Sequence, residues 1–285
     1  MVSAIKKKSL KRTLNCKGKL IDLNEPKLMG ILNFTPDSFY SESRIKTDSN
    51  LLHRVESMLL EGATFIDIGA YSSRPGADFV SKYEESKRLL PAIEIILKEF
   101  PKALISVDTF RSEIANKAID IGAALINDIS GGNLDEGMFD LVVKKQVPYI
   151  LMHMRGTPQT MSSLNTYDNL ILDIISELQA KVYKLQELGL NDLIVDPGLG
   201  FAKDINQNYE IVKNLKSFEI LKLPLLIGAS RKSMIYKLLE CDTHNALNGT
   251  TVIHTASLLN GASILRVHDI KPAMEAVKIT NLLKN

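Results

Sequence analysis

Asp108, Asn127, Asp196 and Lys232 combine two carboxylates, a carboxamide and an ammonium. Facing one another, they suit a flat heterocycle that offers adjacent N–H donors and a carbonyl. Each charge-assisted hydrogen bond in such a site is worth about 1.5–3 kcal/mol. Arg74, Arg266 and His268 bring cationic or donor groups to a separate part of the rim. With a helix starting near Ser230, they suit an anion such as a phosphate or carboxylate. Asn33 and nearby oxygens suit a hard cation that keeps several waters, as Mg2+ does. Taken singly, each residue has a plainer reading. Asp108 before Thr109 could cap a helix, Asp196-Pro197-Gly198 is an ordinary turn, and His153 on an apolar strand end suits a satisfied core histidine. The weight lies in the set, because all of these residues follow apolar runs.

Eight such runs occur: KLMGIL, ATFIDI, KALISV, GAALIN, VPYILM, NDLIVD, LPLLIG and GASILRV. They do not alternate with polar residues, as expected of parallel strands buried on both faces. Amphipathic stretches lie between them. Ser49–Glu61 has an apolar stripe closed by Gly62, and Ser81 stands three residues before Glu84 in capping-box spacing ahead of a helix to about Glu99. Asp168–Leu188 and Ala246–Asn260 show the same pattern. Strand alternating with helix implies right-handed crossovers, and eight strands predict an α/β fold, a (β/α)8 TIM barrel, over an open doubly wound sheet. The segment TLNCKGKLIDL reads as a short N-terminal β-hairpin turning at Lys17-Gly18 and covering the bottom of the barrel. In a barrel of this kind the site is built from the loops after the strands, where the polar residues stand.

The 285 residues are 45% apolar and 24% charged, with a formal net charge of +2. That length suits one domain over residues 1–285, with residues 1–13 as a flexible tail. The near balance of charge gives no reason to invoke nucleic acid, and no apolar run reaches the roughly 20 residues that span a bilayer. Cys16 and Cys241, far apart in sequence, fit free thiols in a reducing cytoplasm.

The segments MGILNFTPDSF, IDIGAYSSRPGA, ISVDTFR, INDISGG, MHMRGTP, DPGLGFAK, GASRKSM and LRVHDI appear in the order found in the dihydropteroate synthases, and the chain resembles that family from about Leu28 to Ala276. The resemblance implies a transferase of folate biosynthesis. It would join (7,8-dihydropterin-6-yl)methyl diphosphate to 4-aminobenzoate, by way of a pterin methylene cation. It implies a pterin pocket of Asp108, Asn127, Met152, Asp196 and Lys232, with Asp108, Asp196 and Lys232 catalytic. The diphosphate falls to Ser73, Arg74, Arg266 and His268, and 4-aminobenzoate to Ser73, Pro75, Phe201 and Ser233. It also implies Mg2+ at Asn33 and a homodimer. Two loops depart from the family pattern: Tyr40-Ser41-Glu42-Ser43 replaces Ser-Asp-Gly-Gly, and Tyr71 replaces Glu. A pterin-binding methyltransferase domain and a non-catalytic pterin-binding scaffold share parts of this pattern and are the rival readings.

Overall fold

The computed structural model of the chain describes residues 10–33, 44–71 and 80–284. A hairpin comes first: β1 (Thr13–Cys16) pairs antiparallel with β2 (Lys19–Asp22). Lys17 and Gly18 make its turn at φ 55° and 80°, as the sequence led us to expect. Eight parallel strands follow: β3 (Lys27–Asn33), β4 (Phe65–Gly69), β5 (Leu104–Asp108), β6 (Leu125–Asp128), β7 (Tyr149–Met152), β8 (Leu193–Asp196), β9 (Leu226–Ile227) and β10 (Ile264–Val267). Their order is β8-β7-β6-β5-β4-β3-β10-β9, and a parallel bridge from Val195 to Leu225 links the two edges into a barrel.

Each strand is followed by a helical connection: α1 (Arg44–Leu60), α2 (Lys82–Glu99), α3 (Ser112–Ile121), α4 (Gly137–Lys145), α5 (Leu170–Glu187), α6 (Ile205–Lys213), the pair α7 (Ser233–Leu238) and α8 (Leu247–Leu259), then α9 (Ile270–Lys284). Helix α1 starts earlier than the apolar stripe implied. Ser81 caps α2 by accepting from the Glu84 amide at 3.2 Å, but the Glu84 carboxylate turns to Arg88, so only half of the expected capping box forms. A complete box opens α6 instead, between Asp204 and Gln207.

The strands read as uniformly apolar because their two faces meet different partners. Leu28, Ile66, Ile105, Ile126, Leu151, Val195 and Leu265 pack outward against the helices. Met29, Phe65, Leu104, Leu125, Ile150, Ile194, Leu226 and Ile264 form a separate inner cluster, which Leu14, Cys16, Ile21 and Leu23 of the hairpin segment join. The hairpin thus plugs the bottom, and the period of two along each strand carries the inner face up to Asp67, Ser106, Asp108, Asn127, Asp196 and Arg266. Of the residues expected to form a tail, 1–9 lie outside the described residues and the last three are anchored. Lys11 forms an ion pair with Asp192 at 2.7 Å, its amide donates to the Lys222 carbonyl, and Thr13 already belongs to β1.

On α8, His254 is 2% exposed, and its Nε2 finds no hydrogen-bond partner among the described residues. Burial above all pulls its pKa down to about 4. The unfolded chain binds this proton near 6.5 and the fold only near 4, so between those pH values acidification destabilises the fold. His254→Leu is therefore expected to gain stability over the parent progressively as pH falls from 6.5 towards 4. Thermal unfolding across that range checks it, and a pH-independent difference would contradict it.

Candidate active site

The inner face ends in a polar floor centred on Arg266. Its Nε donates to Asp67 Oδ2 at 2.5 Å and its Nη2 to Asp108 Oδ2 at 2.7 Å. Asn127 Nδ2 donates to the same Asp67 oxygen at 3.1 Å. The register explains the meeting: Gly69, Asp108 and Asn127 are successive Cα partners across β4, β5 and β6, and Met29 pairs with Arg266. Gly69 matters because a Cβ there would lie 3.1 Å from Asp108 Cβ. Burial pushes the Asp108 carboxyl up, against the pull of Arg266. Burial pulls Arg266 down, but Asp67 and Asp108 outweigh it and hold its pKa above the ordinary value. Asp67 Oδ1 and Ser106 Oγ are buried without partners among the described residues, an arrangement that costs on the order of 1–3 kcal/mol per group.

Across the floor stands Asp196, the Cα partner of Met152. Burial pushes its pKa up, while Lys232 opposes that. Lys232 Nζ donates to the Leu199 carbonyl and lies 4.7 Å from the centroid of the Phe201 ring, a cation–π contact. Burial brings the Lys232 ammonium down to about 8. Met152 and Phe201 share an apolar cluster with Ile129, Met154, Met161 and Ala202, so one wall of the mouth is greasy and the opposite floor is charged. A planar ring with polar edges fits that combination.

At the rim, His268 Nδ1 lies 3.0 Å from Ser230 Oγ, which also accepts from the His268 amide. Burial, then Arg266, lowers its pKa to about 4, so the imidazole is neutral near pH 7. Arg231 grips both oxygens of Asp269, at 2.8 and 3.0 Å, and the carbonyls of Thr243 and His244, which clamps the loops after β9 and β10 together. Helix α7 begins at Ser233 rather than near Ser230, with Lys232 as its N-cap. Asn33 ends β3, exposed at the mouth. Tyr71 meets Phe110 edge-on at 5.2 Å, and Gln159 Nε2 donates to its hydroxyl at 3.1 Å. Ser73, Arg74 and Pro75, and the altered Tyr40–Ser43 stretch, lie outside the described residues.

Two expectations change. Arg266 is seated in the floor, between two buried carboxylates, so it joins the residues expected around the pterin to those expected around the anion. Asp67, the hub of that floor, had no assigned role. Its position two residues before Gly69 and two after Phe65 is the signal that places it on the inner face. His153, read as a satisfied core histidine, is one: it is 3% exposed, with Glu177 on one nitrogen and Lys203 on the other.

Residues 29–268 match the family model described as pterin binding enzyme. The dihydropteroate synthase of Haemophilus influenzae is 37% identical over 95% of this chain and 99% of its own length. The mitochondrial folate synthesis bifunctional protein of Arabidopsis thaliana is 38% identical over 99% of this chain, and the chain spans only 54% of that relative. The crystal structure of Xanthomonas albilineans dihydropteroate synthase with 4-aminobenzoic acid superposes with a TM-score of 0.88, at 32% identity over 96% of this chain and 98% of that one.

The turn after β8 depends on Gly198. Its amide donates to Asp196 Oδ1 at 2.7 Å, its φ is 70°, and a Cβ there would come within 2.0 Å of the His153 carbonyl oxygen. Gly189 offers a control, with φ 90° and nothing within 4 Å of an added Cβ. Gly189→Ala should cost about 1–2 kcal/mol for the left-handed backbone alone. Gly198→Ala should cost clearly more, at least about 3 kcal/mol, because backbone must move. Urea unfolding checks the difference, and equal costs would overturn this account of the turn.

Proposed function

This chain belongs to the pterin binding enzyme family, and we propose that it works as a dihydropteroate synthase. It transfers the pterinylmethyl group of (7,8-dihydropterin-6-yl)methyl diphosphate to 4-aminobenzoate and releases diphosphate. The observation that carries the reading is the buried floor of Asp67, Asp108 and Asn127 around Arg266, facing Asp196 and Lys232. A pterin presents several ring N–H donors beside a carbonyl, and carboxylates with a carboxamide and cations complement that edge.

The arylamine is a weak nucleophile, so the carbon it attacks must be made strongly electrophilic. The C–O bond to diphosphate breaks first, and the leaving group keeps the electron pair. The positive charge left on the pterin methylene spreads into the ring. Asp67, Asp108 and Asp196 then matter as charges, because they stand buried and pre-oriented around the ring. Carboxylates fixed in this way stabilise the cation as it develops. The same positive charge draws the raised Asp108 and Asp196 pKa values back down, which favours their ionised forms when they are needed. The amine lone pair then forms the C–N bond, and the surplus ammonium proton leaves to solvent. The Phe201 wall and Ser233 beside Lys232 suit the aromatic acid, and neutral His268 supplies a donor or acceptor to the diphosphate.

Mg2+ is part of this proposal as a companion of the diphosphate. Among the described residues no three His, Cys, Asp or Glu side chains cluster to hold a metal, so the fit is to an ion that brings its own phosphate oxygens and waters to the Asn33 carboxamide. When bound, it would neutralise charge on the leaving group. We also propose a cytoplasmic homodimer, with the exposed Val252, Leu259, Ile279, Leu282 and Leu283 of α8 and α9 as the apolar surface supporting self-association. No helix among the described residues is long and apolar enough to cross a membrane.

Diphosphate release on mixing the two substrates is the deciding assay. A synthase releases it in repeated turnovers when both are present, with one C–N bond formed per diphosphate. A methyltransferase domain or a scaffold would bind the pterin and release none. Asp196→Asn should keep the fold and weaken pterin binding by roughly 10- to 100-fold, the worth of one charge-assisted hydrogen bond. Calorimetric titration checks it, and undiminished affinity would count against the pocket.

A further inference from the structure

The loop from Pro197 to Ala202 forms one side of the mouth, and it is held from behind by a residue with no assigned role. Lys203 Nζ donates to the Phe201 carbonyl at 2.8 Å, to the Gly198 carbonyl at 3.1 Å and to His153 Nδ1 at 3.0 Å. An ammonium has three donors, and all three are used. Because Nδ1 of His153 accepts, the imidazole is neutral and carries its proton on Nε2, which donates to Glu177 Oε2 at 3.0 Å. Arg155 then donates to the other Glu177 oxygen, with Nε at 3.0 Å. The chain of bonds runs from the loop after β8, through the loop after β7, to helix α5.

This loop does not hold its shape unaided. Gly198 and Gly200 have φ of 70° and 81°, and Ala202, with a Cβ, sits at 50°. A left-handed alanine alone costs about 1–2 kcal/mol. The shape has consequences at the mouth: it aims the Leu199 carbonyl at Lys232 Nζ and sets the Phe201 ring beside it. Asp108 and Asn127 lie on strands away from the loop, and Asp196, on β8, touches it only through the Gly198 amide.

We propose that Lys203, seated on neutral His153, is a positioning residue: it braces the 197–202 loop and thereby builds the wall against which the second, aromatic-acid substrate lies. The brace is a property of the fold, while its effect on substrate rests on the synthase reading. Burial above all brings the Lys203 ammonium down to about 7, while the charges of Asp196 and Glu177 oppose that.

Three variants test it: Lys203→Met, His153→Leu, and His153→Asn, whose Oδ1 can stand where Nδ1 accepts. Hydrogen–deuterium exchange of the amides of residues 198–202 reads the brace without any activity. Exchange should quicken at least tenfold in Lys203→Met and His153→Leu, and stay within threefold of the parent in His153→Asn. Steady-state kinetics reads the consequence. In Lys203→Met the KM for 4-aminobenzoate should rise at least tenfold, while calorimetric pterin affinity, held also by the strand residues Asp108 and Asn127, falls by a clearly smaller factor. The His153 pair carries the same exchange test if Lys203→Met does not fold. Unchanged exchange, or equal losses for both substrates, would overturn the proposal. A parent that releases no diphosphate would instead sink the synthase reading and leave the exchange result to judge the brace.

Discussion

A guanidinium buried between two carboxylates is the constraint from which the rest of this molecule follows. Arg266 cannot be left without counter-charge inside a barrel, and Asp67 and Asp108 cannot be left without it either. Such a cluster returns little net stability, because desolvation consumes most of the Coulombic gain. It does specify geometry: three side chains from β4, β5 and β10 are held in one arrangement, and Asn127 from β6 is oriented by the same oxygen. Half the inner circumference of the mouth is thereby fixed before any ligand arrives, and pre-orientation of this kind is what an electrostatic site requires.

The barrel makes the cluster affordable by separating two solvents along one axis. Below the floor, Met29, Phe65, Leu104 and the hairpin residue Leu14 exclude water from one end. Above it, Met152 and Phe201 make an apolar wall on which a ring can lie. The polar groups therefore sit at a low-dielectric base and open in one direction only. The loops after β8, β9 and β10 are braced among themselves, by Lys203 on the Gly198 and Phe201 carbonyls and by Arg231 on Asp269, so the rim is less free than loops usually are.

Much of this was legible in the residues. Parallel strands buried on both faces give unbroken apolar runs, so eight of them with polar ends read directly as a barrel. The Lys17-Gly18 turn and its apolar flanks read as a plug. What was not legible depended on register or on reach. FIDIG is apolar on both sides of Asp67, and only its pairing with Ser106 and its level relative to Asp108 make it the hub. Arg266 stands two residues before His268 in sequence, which grouped the two as one anion rim. Its long side chain reaches back to the floor. Lys203 lies in a recognisable segment, but its partner His153 comes from the loop after β7, 50 positions away. No local pattern encodes such contacts.

In the proposed function Arg266 and Asp67 act as one unit in recognising the pterin. A double-mutant cycle on pterin affinity, with Asp67→Asn, Arg266→Met and the double variant titrated calorimetrically, tests that most directly. Strong coupling is expected, with the double variant less impaired than the sum of the singles by at least about 1.5 kcal/mol. Losses that add to within about 0.5 kcal/mol would mean that the two residues act independently, and would contradict that reading.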